Sequence, residues 1–267
     1  MHILFIKRAF TTTRLAANAP VTQTNRAEAT MKRFWKSVDV SPSKQDPETL
    51  AITLDKRPLK TPLGKPLAVP NTKPLLAALI AHEWDSQENV IKPHALPVTS
   101  LASRALDGMH IENVHAQVRD ALLKYFDTDT ICFHEHHHPS LVRLQDAHWK
   151  PIIDWAQEKF GVEIRIFTDL MGNVQPPETR KALGDWIAKY DAWQLAALER
   201  AVYATKSFLI ALALVEGRIT AEEAAQAAHV EVNSQIERWG EVEDSHDVDY
   251  HDIRRQLGSV ACLSSKA

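Results

Sequence analysis

Five consecutive residues, His134-Glu135-His136-His137-His138, match the pattern H-E-x-x-H. In that pattern two imidazoles at i and i+4 on one helix face bind zinc, and the glutamate between them works on the metal-bound water. The chemistry needs the helix. Here Pro139 biases His138 away from helical backbone, a strand-like Thr130-Ile131-Cys132-Phe133 precedes the cluster, and no third ligand follows at a useful spacing. A metal-dependent hydrolase using His134, Glu135 and His138 is therefore an alternative reading that the context weakens, and the simpler reading is a solvated loop of histidines. Gly64-Lys65 lacks the upstream glycine and following hydroxyl of a phosphate loop, and neither G-x-S-x-G nor G-x-G-x-x-G occurs among only 8 glycines. No catalytic apparatus, metal or cofactor is expected.

Two other groupings carry more. Glu83-Trp84-Asp85 ends a helical stretch and sets a large aromatic between two carboxylates; Trp84 shares a stripe with Leu76 and Ile80, so core packing competes with a binding role. In the run from Glu237 to Asp249, Gly240 stops a helix after Trp239, and Glu241, Glu243, Asp244, Asp247 and Asp249 follow closely. These acids read either as a negatively charged docking surface or as a solvated turn with capping aspartates.

The elements that must position these residues follow from periodicity. Short alternating runs between Phe34 and Pro70, broken by Asp55-Lys56-Arg57-Pro58 and Pro62-Leu63-Gly64-Lys65-Pro66, predict a small twisted antiparallel sheet. Leu75, Leu76, Leu79, Ile80 and Trp84 predict a helix over 73–88 packed on that sheet, with Asn71-Thr72 as its cap. Helical patterns continue over 98–109 and 111–126, and a strand is predicted at 130–133. A helix over 140–160 kinks at Pro151 and stops at Gly161; a strand-like 162–167 and a loop over 171–177 precede helices over 178–190, 191–216 and 221–239. Thr220 and Glu223 form a capping box at the start of the last of these. The fold class is α+β: a small two-layer, sheet-containing N-terminal domain (31–135), a larger all-helical C-terminal domain (136–260) and a short tail (261–267).

Composition excludes several classes. The chain of 267 residues has 31 Lys+Arg against 34 Asp+Glu, so no global basic field exists to hold nucleic acid. The longest apolar run in the helical region, Phe208 to Val215, is eight residues, against the ~20 of a membrane span, so no stable membrane insertion is expected. Cys132 and Cys262 lie far apart without metal-site or disulfide-framework spacing. The charge is also uneven. Residues 1–27 hold Lys7, Arg8, Arg14, Arg26, five threonines and no acid, so the remaining 240 residues carry 27 Lys+Arg against 34 Asp+Glu, a net charge of −7. An acid-poor, arginine- and hydroxyl-bearing start is the pattern of a mitochondrial presequence, here assigned to residues 1–30 and expected to be disordered.

Several segments in order resemble one family. Phe34-Trp35-Lys36, Leu54-Asp55-Lys56-Arg57-Pro58-Leu59-Lys60-Thr61-Pro62, Ala81-His82-Glu83-Trp84-Asp85-Ser86-Gln87 and Glu237-Arg238-Trp239-Gly240-Glu241-Val242-Glu243-Asp244-Ser245-His246-Asp247 are similar to the mitochondrial ATP synthase assembly chaperones that act on the α subunit of the F-one sector. The match runs from about residue 33 to 260, and Tyr250-His251-Asp252-Ile253-Arg254-Arg255-Gln256-Leu257-Gly258 looks like the fungal branch. The resemblance implies a matrix protein, monomeric when free, that is not an enzyme and holds the unassembled α subunit until the β subunit replaces it. It implies an essential acid among Glu237, Glu241 and Glu243, and a sensitive Trp84. The partner-binding residues expected on this basis are Glu237, Trp239, Glu241, Glu243, Asp244, Trp84 and Asp85. The histidine cluster is not part of the family pattern. A helical scaffold for another matrix complex is the blander alternative.

Overall fold

The computed structural model describes residues 32–169 and 173–265, without the side chains of 243–245. The presequence assigned to residues 1–30 and part of the 171–177 loop lie outside the described residues.

The sheet is built around one strand. β2 (Thr49–Leu54) pairs antiparallel with β1 (Val38–Pro42), β3 (Arg57–Pro58) and β4 (Ala68–Pro70), placing Val40 opposite Ile52 and Val69 opposite Leu50. The β2–β3 hairpin turns on Asp55 and Lys56, with φ of 47° and 68°. Two positive-φ central residues let the hairpin follow the right-handed strand twist. Asp55 also accepts hydrogen bonds from the N–H groups of Lys36 and Ser37, each at 2.9 Å. Those backbone bonds, Ser37's first, hold its carboxyl below the usual range.

Helix α1 (Pro74–Asp85) covers the sheet with Leu76, Ala77 and Ile80 against Ile52, Leu54 and Val69. Its start departs from the expectation: Lys73, not Asn71 or Thr72, is the N-cap, no side chain caps it, and Pro74 opens the helix. Proline suits that position because its missing N–H has no intrahelical partner there.

Helix α2 (Pro97–Arg104) runs through a π turn (Ala105–Met109) before α3 (Glu112–Asp127). The predicted strand at 130–133 is a 3-10 turn, Thr130–Cys132, because the Asp129 carboxylate accepts the Ile131 N–H at 3.2 Å and bends the chain. A single parallel bridge joins Phe133 to Phe167, so the strand expected at 162–167 is reduced to that contact.

The predicted 140–160 helix is two, α4 (Pro139–His148) and α5 (Lys150–Phe160), with Pro151 in the first turn of the second and Gly161 ending it at φ 63°. After α6 (Pro177–Ile187), the 191–216 stretch breaks at Lys206 into α7 (Ala192–Thr205) and α8 (Phe208–Val215). All eight residues of α8 are buried, so α8 is the centre of the helical body, with apolar side chains all round. The capping box of Thr220 and Glu223 opens α9 (Ala221–Ala228), and His229 separates it from α10 (Val230–Trp239).

Past Gly240, where the sequence predicts no further helix, the chain forms α11 (Glu243–Ser264), the longest described. Ile253, Leu257, Val260 and Leu263 bury one stripe of it against α7, α8 and α9, while α2 and α1 touch it from the sheet side. Helices α2 and α3 also pack on α7, so contacts cross the expected division near residues 134–140, and one buried cluster runs from Trp35 to Leu263.

Candidate functional site: a groove between the 93–100 segment and the last helix

The Glu-Trp-Asp segment sits where α1 meets α2. The Glu83 carboxylate accepts the N–H groups of Val98 and Thr99 at 2.7 and 2.8 Å and the Thr99 hydroxyl at 2.6 Å, capping α2 across space. Burial pushes the Glu83 carboxyl up, and the Thr99 and Val98 bonds oppose the shift. The Trp84 indole donates to Thr99 Oγ1 at 3.1 Å and lies 5.1 Å from the buried Trp35 ring. Asp85 is exposed; its carbonyl accepts from Arg33 at 2.7 Å, and its carboxylate stands 3.5 Å from the same guanidinium. Trp84 is half-buried and shows part of its ring to an open cleft of 590 Å3.

That cleft lies between α2 and the loop after β3, where Lys60, Thr61 and Pro62 form the facing wall. Asp107 in the π turn holds the wall, accepting from the Thr61 hydroxyl at 2.6 Å and the Leu63 N–H at 3.2 Å. Segments 34–36, 54–62 and 81–87 therefore converge on one joint. The cleft continues: a smaller pocket of 160 Å3 shares Pro93 and Ser100 with it, and shares His94 and Arg255 with a third, open cleft of 590 Å3 that ends at Asp247 and Val248. A single groove thus runs from Trp84 to the acidic start of α11.

Beyond the far end the surface is apolar and acidic together. Trp239, Val242 and Val248 are 71%, 62% and 70% exposed, unusually open for large apolar residues so close in sequence. Arg238 lies over the Trp239 ring at 4.6 Å. Glu241 is exposed and has no hydrogen bond or ion pair among the described residues. Glu237 is differently placed: Arg143 of α4 grips both its oxygens at 2.6 and 2.8 Å, tying α10 to α4. The Glu243 and Asp244 side chains lie outside the described residues.

The wall made by α11 is fixed by polar ties. Arg254 grips Glu222 of α9 through two bonds at 2.8 Å and stacks on Tyr250 at 3.3 Å. His229 meets Asp249 at 3.1 Å. Burial lowers the His229 pKa and outweighs the pull of Asp249, so the contact at neutral pH is a hydrogen bond that the Nε2–H of a neutral ring donates to the Asp249 carboxylate. Sequence reasoning missed the middle of the groove, Pro93, His94, Ser100, Arg200 and Arg255, because those residues come together only once α11 folds back.

The histidine cluster takes no part. His134 through His138 precede α4 rather than lie within a helix; His134 Nε2 is 3.0 Å from the Ile131 carbonyl, and Glu135 accepts the N–H groups of His136 and His137 at 2.8 Å. Among the described residues no three His, Cys, Asp or Glu side chains gather as a metal site would require. The hydrolase alternative loses its geometry.

The profile of the ATP12 chaperone protein family matches residues 32–157. Protein atp12, mitochondrial, of Schizosaccharomyces pombe is 33% identical over 98% of this chain and 90% of its own length. The chain belongs to the ATP12 chaperone family. A second ATP12 relative, Protein ATP12, mitochondrial, of Saccharomyces cerevisiae, is 32% identical over 93% of this chain and 88% of its own length. The crystal structure of Atp12 from Paracoccus denitrificans superposes with a TM-score of 0.73 at 30% identity, covering 89% of this chain and 97% of that one. As an ATP12 protein the chain is a mitochondrial chaperone of ATP synthase assembly and not an enzyme. No described helix is long and apolar enough to cross a membrane.

Proposed function

We propose that the protein acts in the mitochondrial matrix on one client, the unassembled α subunit of the F-one sector, covers the surface that α later presents to β, and yields it on assembly. An α subunit without β exposes apolar surface that drives aggregation. A cover that must later leave is better made of a modest apolar patch ringed by charge than of a wholly apolar face. The observation that carries this reading is the exposure of Trp239, Val242 and Val248, interleaved in sequence with Glu241, Asp247 and Asp249, with Asp247 and Val248 lining the end of the groove. Glu243 and Asp244 belong to the same proposed ring, with Glu237 at its inner edge and Trp84 and Asp85 at the other end of the groove. The free protein is a monomer in this scheme, its client surface open.

The test is suppression of α-subunit aggregation by the purified protein at stoichiometric ratio, without ATP. Protection of α but not of β, lost on charge reversal of Glu241 together with Glu243 and Asp244, is expected. Retained protection by a folded triple variant sinks the acidic-surface reading, and indifference to α sinks the client assignment.

A further inference from the structure

The middle of the groove is chemically unlike its ends. Towards Trp84 the lining includes Pro62, Pro93 and Leu96; towards α11 it includes Ala95 and Val248 together with Asp247, His251 and Asp252. Between them the 160 Å3 pocket brings together Arg200 of α7, Arg255 of α11, His94 and Ser100. Arg200 is half-buried and makes no hydrogen bond or ion pair among the described residues. Its neighbour Glu199 is not available to it, because Arg104 of α2 holds both Glu199 oxygens at 2.8 Å. Asp252 feels the Arg200 charge, but its oxygens are engaged with Arg255 and Gln256. Two guanidiniums therefore face one carboxylate already in use. A half-buried guanidinium left without an acceptor forgoes charge-assisted bonds that a planar, bidentate oxyanion satisfies well.

We infer that the Arg200 pocket is an anchor for an acidic side chain of the client, and that the groove takes an extended segment in which an aspartate or glutamate is flanked by apolar residues. The pocket has room for a carboxylate and its methylenes, and the clefts on either side take the flanking side chains. Charge complementarity selects the occupant: the patch at Trp239 supplies area, and the pocket supplies register, since a charge pair at Arg200 fixes which residue sits where. The inference rests on the client reading above and says which client segments are held.

The experiment uses the full chain and fluorescein-labelled twelve-residue peptides containing Leu-Val-Glu-Val-Leu, Leu-Val-Gln-Val-Leu or Leu-Val-Lys-Val-Leu, titrated by anisotropy. The unmodified protein is expected to bind the Glu peptide at least tenfold more tightly than the Gln peptide. Arg200→Glu should reverse the order and prefer the Lys peptide, and Arg200→Lys should keep a reduced preference for Glu. Urea unfolding of each variant establishes that it is folded. Equal affinity for the three peptides, no binding, or an order unchanged by Arg200→Glu overturns the anchor. Aggregation suppression separates this from the client reading: if α is protected while the peptides are not discriminated, only the anchor fails. If the peptides are discriminated and α is not protected, the anchor stands and the client assignment fails.

Discussion

The Glu83 carboxylate holds Thr99 by both its N–H and its hydroxyl, at 2.8 and 2.6 Å, so the end of one helix forms the cap of the next. Removing it leaves the Val98 and Thr99 N–H groups and the Thr99 hydroxyl unpaired in a mostly buried joint. Glu83→Ala should cost about 2–3 kcal/mol of unfolding free energy, the range expected when buried donors lose a charged acceptor, read from the urea midpoint. Glu83→Gln should cost less, because its carbonyl still accepts one N–H. A midpoint unchanged in both variants contradicts the capping role.

Asp129 should give the protein a pH dependence opposite to that of its paired surface acids. It is 1% exposed, and burial pushes its carboxyl up to about 6 from 3.8, while bonds from Ser207, Leu209 and Ile131 oppose the shift. A carboxyl with a folded pKa above the unfolded one binds its proton more tightly in the folded state. Its stabilising contribution is full below about pH 4 and is lost as pH rises through about 6, a loss of roughly 2–3 kcal/mol. Asp129→Asn removes this titration. Unfolding free energies at pH 4.5, 5.5, 6.5 and 7.5 should show the variant gaining on the unmodified protein as pH rises. A constant difference means that Asp129 does not titrate in this window.

Local signals were legible where the physics is local. The capping box at Thr220 and Glu223, the stop at Gly161 and the β2–β3 hairpin all follow from residues within a few positions of one another. The last helix was hidden because its first turns are polar and acid-rich, although Ile253, Leu257 and Val260 carry the helical spacing. The buried Asp129 turned the apolar 130–133 segment from strand to 3-10 turn by accepting the Ile131 N–H locally and the Leu209 N–H from α8, and the second of these bonds is a tertiary effect that no propensity anticipates. The candidate site divided the same way. Trp84, Trp239 and the acids stood out by type and spacing, whereas the Arg200 pocket depends on α2, α7 and α11 meeting, and no segment announces that.

Two substitutions on α11 should separate its core face from its open face. Leu257 is fully buried, whereas Val248 is 70% exposed beside the groove. Leu257→Ala should cost about 2–5 kcal/mol through lost burial and the cavity left behind, and should loosen the groove wall that Arg255 occupies. Val248→Ala should change stability by less than ~0.5 kcal/mol. Similar urea midpoints for the two variants are incompatible with the packing of α11 on α7 and α8.

Trp239 offers the sharpest separation of folding from client protection. It closes α10 with its ring 71% exposed, touched by Arg238 at 4.6 Å, and Gly240 follows at φ 87° before the acids begin. An exposed cation–π contact contributes about 0.5–1 kcal/mol, so Trp239→Ala should move the urea midpoint only slightly. Large aromatics at the centre of an interface, by contrast, carry about 2 kcal/mol or more of binding, equivalent to a loss of about 30-fold in affinity. Trp239→Ala should therefore leave a folded, monodisperse protein that needs a many-fold higher ratio to keep the α subunit soluble. Trp239→Phe should recover part of that protection, since a smaller ring still covers apolar surface. Unfolding of the alanine variant would make Trp239 structural, and full protection by a folded one would move the client contact away from α10.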